Sequence, residues 1–98
     1  MNEQMCQMIL AGLDPALDPR QERTLRDFAG FMDHHSVWIT GHAIDNGTLK
    51  VLFSDDRRRY RLTIDEMAHW FGRMDRGEPF PWDALAEPEG DVPASTSR

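Results

Sequence analysis

Residues 36–74 read SVWITGHAIDNGTLKVLFSDDRRRYRLTIDEMAHWFGRM, and they carry the strongest structural pattern in the chain. β-Branched and aromatic residues, which are enriched in strands, lie on both sides of Asn46-Gly47. That dipeptide is typical of a type I′ hairpin turn, because both positions tolerate a positive φ. A polar turn at Asp55-Asp56 then introduces a third short strand. The segment therefore predicts a three-stranded antiparallel β-meander.

Alternation along the predicted strands assigns their side chains to two faces of the sheet. Pairing across the turn predicts Ile44 and Trp38 on the inner face and places Thr40 opposite Phe53. The outer face is then predicted to be apolar at one end and basic at the other. Its predicted members are Val37, Ile39, Gly41, Ala43, Lys50, Leu52, Ser54, Arg57, Arg59 and Arg61.

Three helices are predicted around this meander. Residues 2–12 form the first, and Asp18-Pro19 begins the second as an N-cap followed by a proline at the first helical position. Thr63 begins the third, with Glu66 at the spacing of a capping box. The apolar stripes of the second and third helices are Leu25, Phe28, Ala29 and Met32, and Ile64, Met67, Ala68, Phe71 and Met74.

The predicted fold class is α+β, with two N-terminal helices, the meander, one amphipathic helix packed on the sheet and an irregular C-terminal tail. Residues 1–86 are expected to form a single domain, which suits a chain of 98 residues. Residues 87–98 are rich in Pro, Gly, Ser, Thr and acids, so we expect a disordered acidic tail there.

Composition narrows the class of protein further. No apolar run approaches the ~20 residues that span a bilayer, so no membrane partner is expected. Cys6 is the only cysteine, which makes an internal disulfide impossible and favours a reducing, cytoplasmic location. The net charge of −6 comes largely from the residues after Met74, so the folded body is close to balanced.

The sequence contains no recognisable catalytic, metal or cofactor motif. It has no glycine-rich phosphate loop and no His-x-x-x-His or Cys-x-x-Cys spacing. His42 is predicted to face inward as a hydrogen-bonded core histidine, and nothing near Cys6 in sequence would lower the pKa of its thiol. We therefore expect no enzyme activity, no catalytic or metal-binding residues and no cofactor.

Nine residues are candidates for contacting a partner. Some lie on the predicted outer face of the sheet, where apolar residues could pack against a partner and arginines could bind its carboxylates. The others are aromatic residues on and after the third helix, a residue type that is common among interface anchors. The alternatives are that the arginines only protect a sheet edge and that the aromatics fold the tail back over the domain. The candidates are Ile39, Leu52, Arg57, Arg58, Arg59, Arg61, Trp70, Phe80 and Trp82.

These observations favour a small non-catalytic regulator or inhibitor that docks on a larger protein and acts by steric occlusion. In size and composition alone, the chain is comparable to small acidic inhibitors of phages and plasmids, such as anti-CRISPR and anti-restriction proteins. Three short helices are not expected to cover both faces of the sheet, which leaves room for a homodimer. The alternative is a nucleic-acid-associated regulator that uses the arginines of residues 57–61, although a sequence pI near 5.0 argues against direct nucleic-acid binding.

Overall fold

The computed structural model describes residues 1–87 and confirms the predicted α+β class. The predicted tail lies outside the described residues from residue 88 onward. The elements, in chain order, are α1 (Asn2–Gly12), α2 (Pro19–His34), β1 (Trp38–Asp45), β2 (Thr48–Ser54), β3 (Arg59–Thr63), α3 (Ile64–Asp75) and the single turn α4 (Trp82–Leu85).

The helices α2 and α3 begin where local sequence predicts. The Asp18 carboxylate accepts a hydrogen bond from the Gln21 backbone N–H at 2.8 Å, and the Gln21 side chain accepts one from the Asp18 N–H. Thr63 and Glu66 form the same reciprocal pair at the start of α3. Each capping box satisfies backbone donors that the first helical turn leaves without partners.

The sheet has the order β1-β2-β3, and both strand pairs are antiparallel. Asn46 has a φ of 53° and Gly47 a φ of 78°, which confirms a turn with two left-handed residues between β1 and β2. Near this turn the register is the predicted one, with Ile44 opposite Leu49.

A β-bulge in β1 makes the predicted faces wrong at the other end of the strand. The register shifts between Ile39 and Gly41, so that Thr40 is an extra residue without a partner of its own. Ile39 therefore pairs with Phe53 and is only 5% exposed, whereas it was predicted on the outer face. Trp38, predicted on the inner face, lies opposite Ser54 on the outer face. One inserted residue reverses the facing of every side chain beyond it, because strand side chains alternate with a period of two.

The helices α1, α2 and α3 pack together in a layer on the inner face of the sheet. Helix α2 contacts both of the others, α1 also contacts β1, and α3 also contacts β3. The core between the layers holds the complete predicted stripe of α2 and those inward side chains of the sheet that the helices cover, which are Ile39, Leu49, Val51, Phe53, Tyr60 and Leu62. Within residues 1–87, no helix has the length and apolar character needed to cross a bilayer.

Candidate functional site

The outer face of the sheet is the side that the helix layer leaves uncovered. It consists of the outward side chains of the strands, and Leu52, which lies near its middle on the central strand, is half-buried. Its members are Trp38, Gly41, Ala43, Lys50, Leu52, Ser54, Arg59 and Arg61.

Gly41 keeps the apolar part of this face open. It pairs with Leu52 across β1 and β2, and a Cβ atom at Gly41 would lie 3.6 Å from Cδ1 of Leu52. Glycine therefore leaves uncovered a part of Leu52 that a larger residue would cover. Trp38 and Ala43 extend the apolar surface along β1, so that the face combines apolar contact area with charge.

The charges on the outer face are mixed, with cations in excess. Lys50 Nζ lies 3.2 Å from Asp45 Oδ2, and Arg61 Nε lies 3.2 Å from Glu87 Oε2. The Glu87 backbone N–H also donates to the Arg59 carbonyl at 2.7 Å, which places the end of the described chain beside β3. Three cations thus face two carboxylates, and the Arg61 side chain remains 52% exposed.

Arg57 and Arg58 lie in the turn between β2 and β3. The Asp55 carboxylate accepts the backbone N–H groups of both residues at 2.7 Å, and these bonds hold the pKa of that carboxyl below its usual value. The Arg58 guanidinium contacts the Asp83 carboxylate and so connects the turn to α4. Arg58 is therefore a structural contact, and Arg57 is the exposed cation of the turn.

The aromatic candidates lie away from the outer face. Phe80 is only 8% exposed and packs against Phe28, so its prediction as an exposed anchor is wrong. Trp82 is half-buried and stacks on Phe31, with ring centroids 5.7 Å apart and an interplanar angle of 13°. Trp70 is half-buried against Phe80. Phe80 and Trp82 hold the chain after α3 against the domain, because burying aromatic side chains among the core phenylalanines is favourable.

Of the nine candidate residues, the structure brings Leu52, Arg59 and Arg61 together on the outer face, with Arg57 in the turn beside it. It places Ile39 in the core. Trp38 joins the outer face and was missed, because the bulge that turns it outward was not predicted. An isolated glycine inside a strand pattern often marks a bulge, so Gly41 was the signal available in the sequence.

The pKa shifts of Cys6 and Tyr60 follow from their burial in the fold. Burial raises the pKa of the Cys6 thiol, which is opposite to the activation that a nucleophile needs. Burial also raises the pKa of Tyr60. His42 is exposed, so its prediction as a core histidine is wrong. Among residues 1–87, no three His, Cys, Asp or Glu side chains are grouped to hold a metal ion.

Comparison of the chain with family models, curated proteins and solved structures finds no match. Its function is therefore inferred from its own geometry.

Proposed function

We propose that this protein is a non-catalytic regulator that binds an acidic surface of a larger protein through the outer face of its sheet. The observation that carries the proposal is the one-sided packing of the fold. All three long helices cover the inner face, and the opposite face presents Leu52 and Trp38 beside Arg59 and Arg61. When docked, the sheet would cover part of the partner's surface, and it would regulate the partner by blocking other molecules from that surface.

The composition of this face suits protein binding. Interface centres are enriched in aromatic residues and arginine, and arginine makes bidentate contacts with carboxylates. The apolar side chains would supply desolvation, while Arg59 and Arg61 would select an acidic partner and speed its approach. Homodimerisation through the same face stays a prediction that sedimentation velocity would test.

Nucleic-acid binding by the arginines of residues 57–61 is the competing proposal. The Arg58 contact with Asp83 disfavours it, because that carboxylate competes with a phosphate for an arginine that only this proposal uses. The net charge of −6 also disfavours it, since binding to a phosphate backbone depends on an excess of cations. The two proposals differ in their dependence on salt. Phosphate contacts release counterions, so log K falls with log salt by about 0.9 per contact on duplex DNA, and an apolar interface responds less.

The test is quantitative affinity capture from the source cells, followed by affinity measurements with the purified partner. Arg59→Glu/Arg61→Glu should weaken binding by about 10- to 100-fold, as expected for interface arginines. The matched control, Arg20→Glu/Arg23→Glu, makes the same charge change on α2 in the helix layer and should change affinity less than about twofold.

Equal loss in both double variants would contradict the proposal, because it would show a general charge effect. Tight binding of random-sequence DNA or RNA by the native chain, falling steeply with salt, would favour the nucleic-acid alternative. Melting temperatures of both double variants must stay near that of the native chain, which establishes that the fold is intact.

A further inference from the structure

The helices do not cover the inner side of the β1–β2 hairpin near its turn, where His42 and Ile44 are exposed, and a groove lies at that end of the domain. The groove has a volume of about 470 Å³. It lies between the connector from α1 to α2, the hairpin end and the start of α3. Leu49 and Ile64, both buried, are among its apolar lining residues, and Leu13 and Leu17 of the connector line it as well. Its size falls within the ~300–1,000 Å³ range typical of ligand sites.

Ile44 forms part of the groove lining and is 56% exposed. Strand alternation places it on the inner side of the sheet opposite Leu49, where a covering helix would bury it. The connector that lines the groove with Ile44 is not helical, because Pro15 lacks a backbone donor and restricts the residue before it. The chain therefore leaves a large aliphatic side chain uncovered beside an apolar recess.

The charge of the groove identifies what it would bind. Asp14 and Asp65 line it, and no lysine, arginine or histidine of the described residues does. An anionic rim around an aliphatic recess is complementary to an aliphatic side chain with cationic neighbours. This preference is opposite to that of the outer face, where cations are in excess.

We propose that this groove is a second binding site, which takes a short extended peptide segment of a partner protein carrying a leucine-sized side chain flanked by lysine or arginine. The aliphatic side chain enters between Ile44, Leu13 and Leu17. The flanking cations contact Asp14 and Asp65. The site is separate from the outer face, and it stands whether or not the outer face binds an acidic partner.

The experiment is a titration of the ¹⁵N-labelled full chain with the blocked peptide acetyl-Ala-Lys-Leu-Lys-Ala-amide, followed by amide chemical shifts. We expect saturable shifts below about 10 mM, because one buried side chain and two exposed ion pairs give weak binding. The shifts should map to residues 13–17, 44–49 and 63–65. The matched peptides with Glu in place of Lys, or with Gly in place of Leu, should bind at least about fivefold more weakly.

Variants separate the parts of the site. Ile44→Thr keeps a β-branched residue on the strand and should weaken binding of the Lys-Leu-Lys peptide by about three- to tenfold, through loss of apolar contact. Asp14→Asn/Asp65→Asn should reduce the discrimination between the lysine and glutamate peptides. Arg59→Glu/Arg61→Glu should leave the mapped shifts in place, which distinguishes this site from the outer face.

Shifts that do not saturate, or that are equal for the lysine and glutamate peptides, would overturn the proposal. A concentration-dependent dimer that Ile44→Thr dissociates would also overturn it, since a second copy of the chain would then be the occupant of the groove.

Discussion

Asn2 shows how one side chain can complete the edge of a sheet. It is 1% exposed, and its Nδ2 group donates to the carbonyls of Ala29 and Val37 at 3.0 Å. Its Oδ1 accepts the Ile39 backbone N–H at 2.9 Å. The side chain thus supplies the donor and the acceptor that a neighbouring strand would otherwise give to β1 before the bulge. Buried backbone groups need such partners, because leaving them unpaired costs free energy.

Replacing Asn2 with alanine should therefore lower the free energy of unfolding. It would leave the Val37 carbonyl and the Ile39 N–H without the partner that Asn2 gives them, each at a cost of about 1–3 kcal/mol, so we expect a loss of about 2–6 kcal/mol. Urea denaturation measures this loss. Gln4→Ala, on the exposed face of α1, is the control and should change stability by less than about 0.5 kcal/mol. Similar stability of the two variants would show that the Asn2 bonds contribute little.

Asp55 gives a prediction about pH. Its pKa is lowered from 3.8 by the backbone N–H groups of Arg57 and Arg58, so its carboxylate stabilises the fold above that value. The contribution is lost as pH falls through the lowered pKa of the folded state. Asp55→Ala should cost about 1–2 kcal/mol at pH 7, and its deficit relative to the native chain should shrink by pH 2.

The matched control is Asp56→Ala in the same turn, where the side chain is exposed. It should change stability by less than about 0.5 kcal/mol at both pH values. A deficit of Asp55→Ala that stays constant from pH 7 to pH 2 would show that the carboxylate charge is not the cause.

At the scale of elements, the β1–β2 hairpin depends on backbone conformation at its turn. Gly47 has a φ of 78°, and no atom lies within 4 Å of a Cβ built there. Gly47→Val should thus cost about 1–3 kcal/mol from backbone strain alone. Gly30→Ala in the middle of α2 has equally open surroundings and should instead raise stability by about 0.5–1 kcal/mol. Thermal denaturation of both variants checks the difference, and an unchanged melting temperature for Gly47→Val would contradict the turn assignment.

The bulge in β1 gives a second prediction at this scale. Thr40 is the unpaired residue, so deleting it would leave Ile39 facing inward and Trp38 facing outward in a regular strand. We expect the deletion to keep a cooperative fold, with a loss below about 2 kcal/mol. Deletion of Leu52 from the central strand should abolish the fold, because it reverses one part of that strand relative to the other. Far-UV circular dichroism and urea denaturation distinguish the two outcomes, and an unfolded Thr40 deletion would contradict the bulge.

At the scale of the whole molecule, the segment after α3 packs against both the helix layer and the sheet. Phe80 contacts Phe28 and Phe31 of α2, and Trp82 contacts Tyr60 of β3 as well as Phe31. This aromatic cluster connects the helix layer to the last strand, so the segment belongs to the folded unit.

Two truncations test this role. Removal of residues 88–98, which contain no aromatic residue and only one large aliphatic residue, Val92, should change the melting temperature by less than about 2 °C. Removal of residues 79–98 also takes away Phe80 and Trp82, and loss of one buried aromatic typically costs about 3–5 kcal/mol. The shorter chain should therefore melt more than about 10 °C lower. A large loss on the first truncation, or none on the second, would refute the respective expectation.

The two proposed surfaces also follow from the overall arrangement. Because all the long helices lie on one side, the outer face is left uncovered, and because they do not cover Ile44, the groove beside it remains open. Leu52, Arg59 and Arg61 could be assigned to the outer face from sequence. The expected pairs Tyr60–Val51 and Leu62–Leu49 were wrong by two residues, since Tyr60 lies opposite Phe53 and Leu62 opposite Val51, but a shift of two leaves each side chain on its predicted face. Trp38 could not, since its facing depends on the bulge.

Local interactions made the element order, the two capping boxes and the Asn46-Gly47 turn predictable, because each depends on residues within a few positions of one another. The facing of Trp38 and Ile39, the bonds of Asn2 and the burial of Phe80 depend on partners far away in the chain. Asn2 and Ile39, for example, are separated by 37 positions. Such contacts form only when the layers pack, so the register of β1 and the surfaces left open are properties of the folded chain.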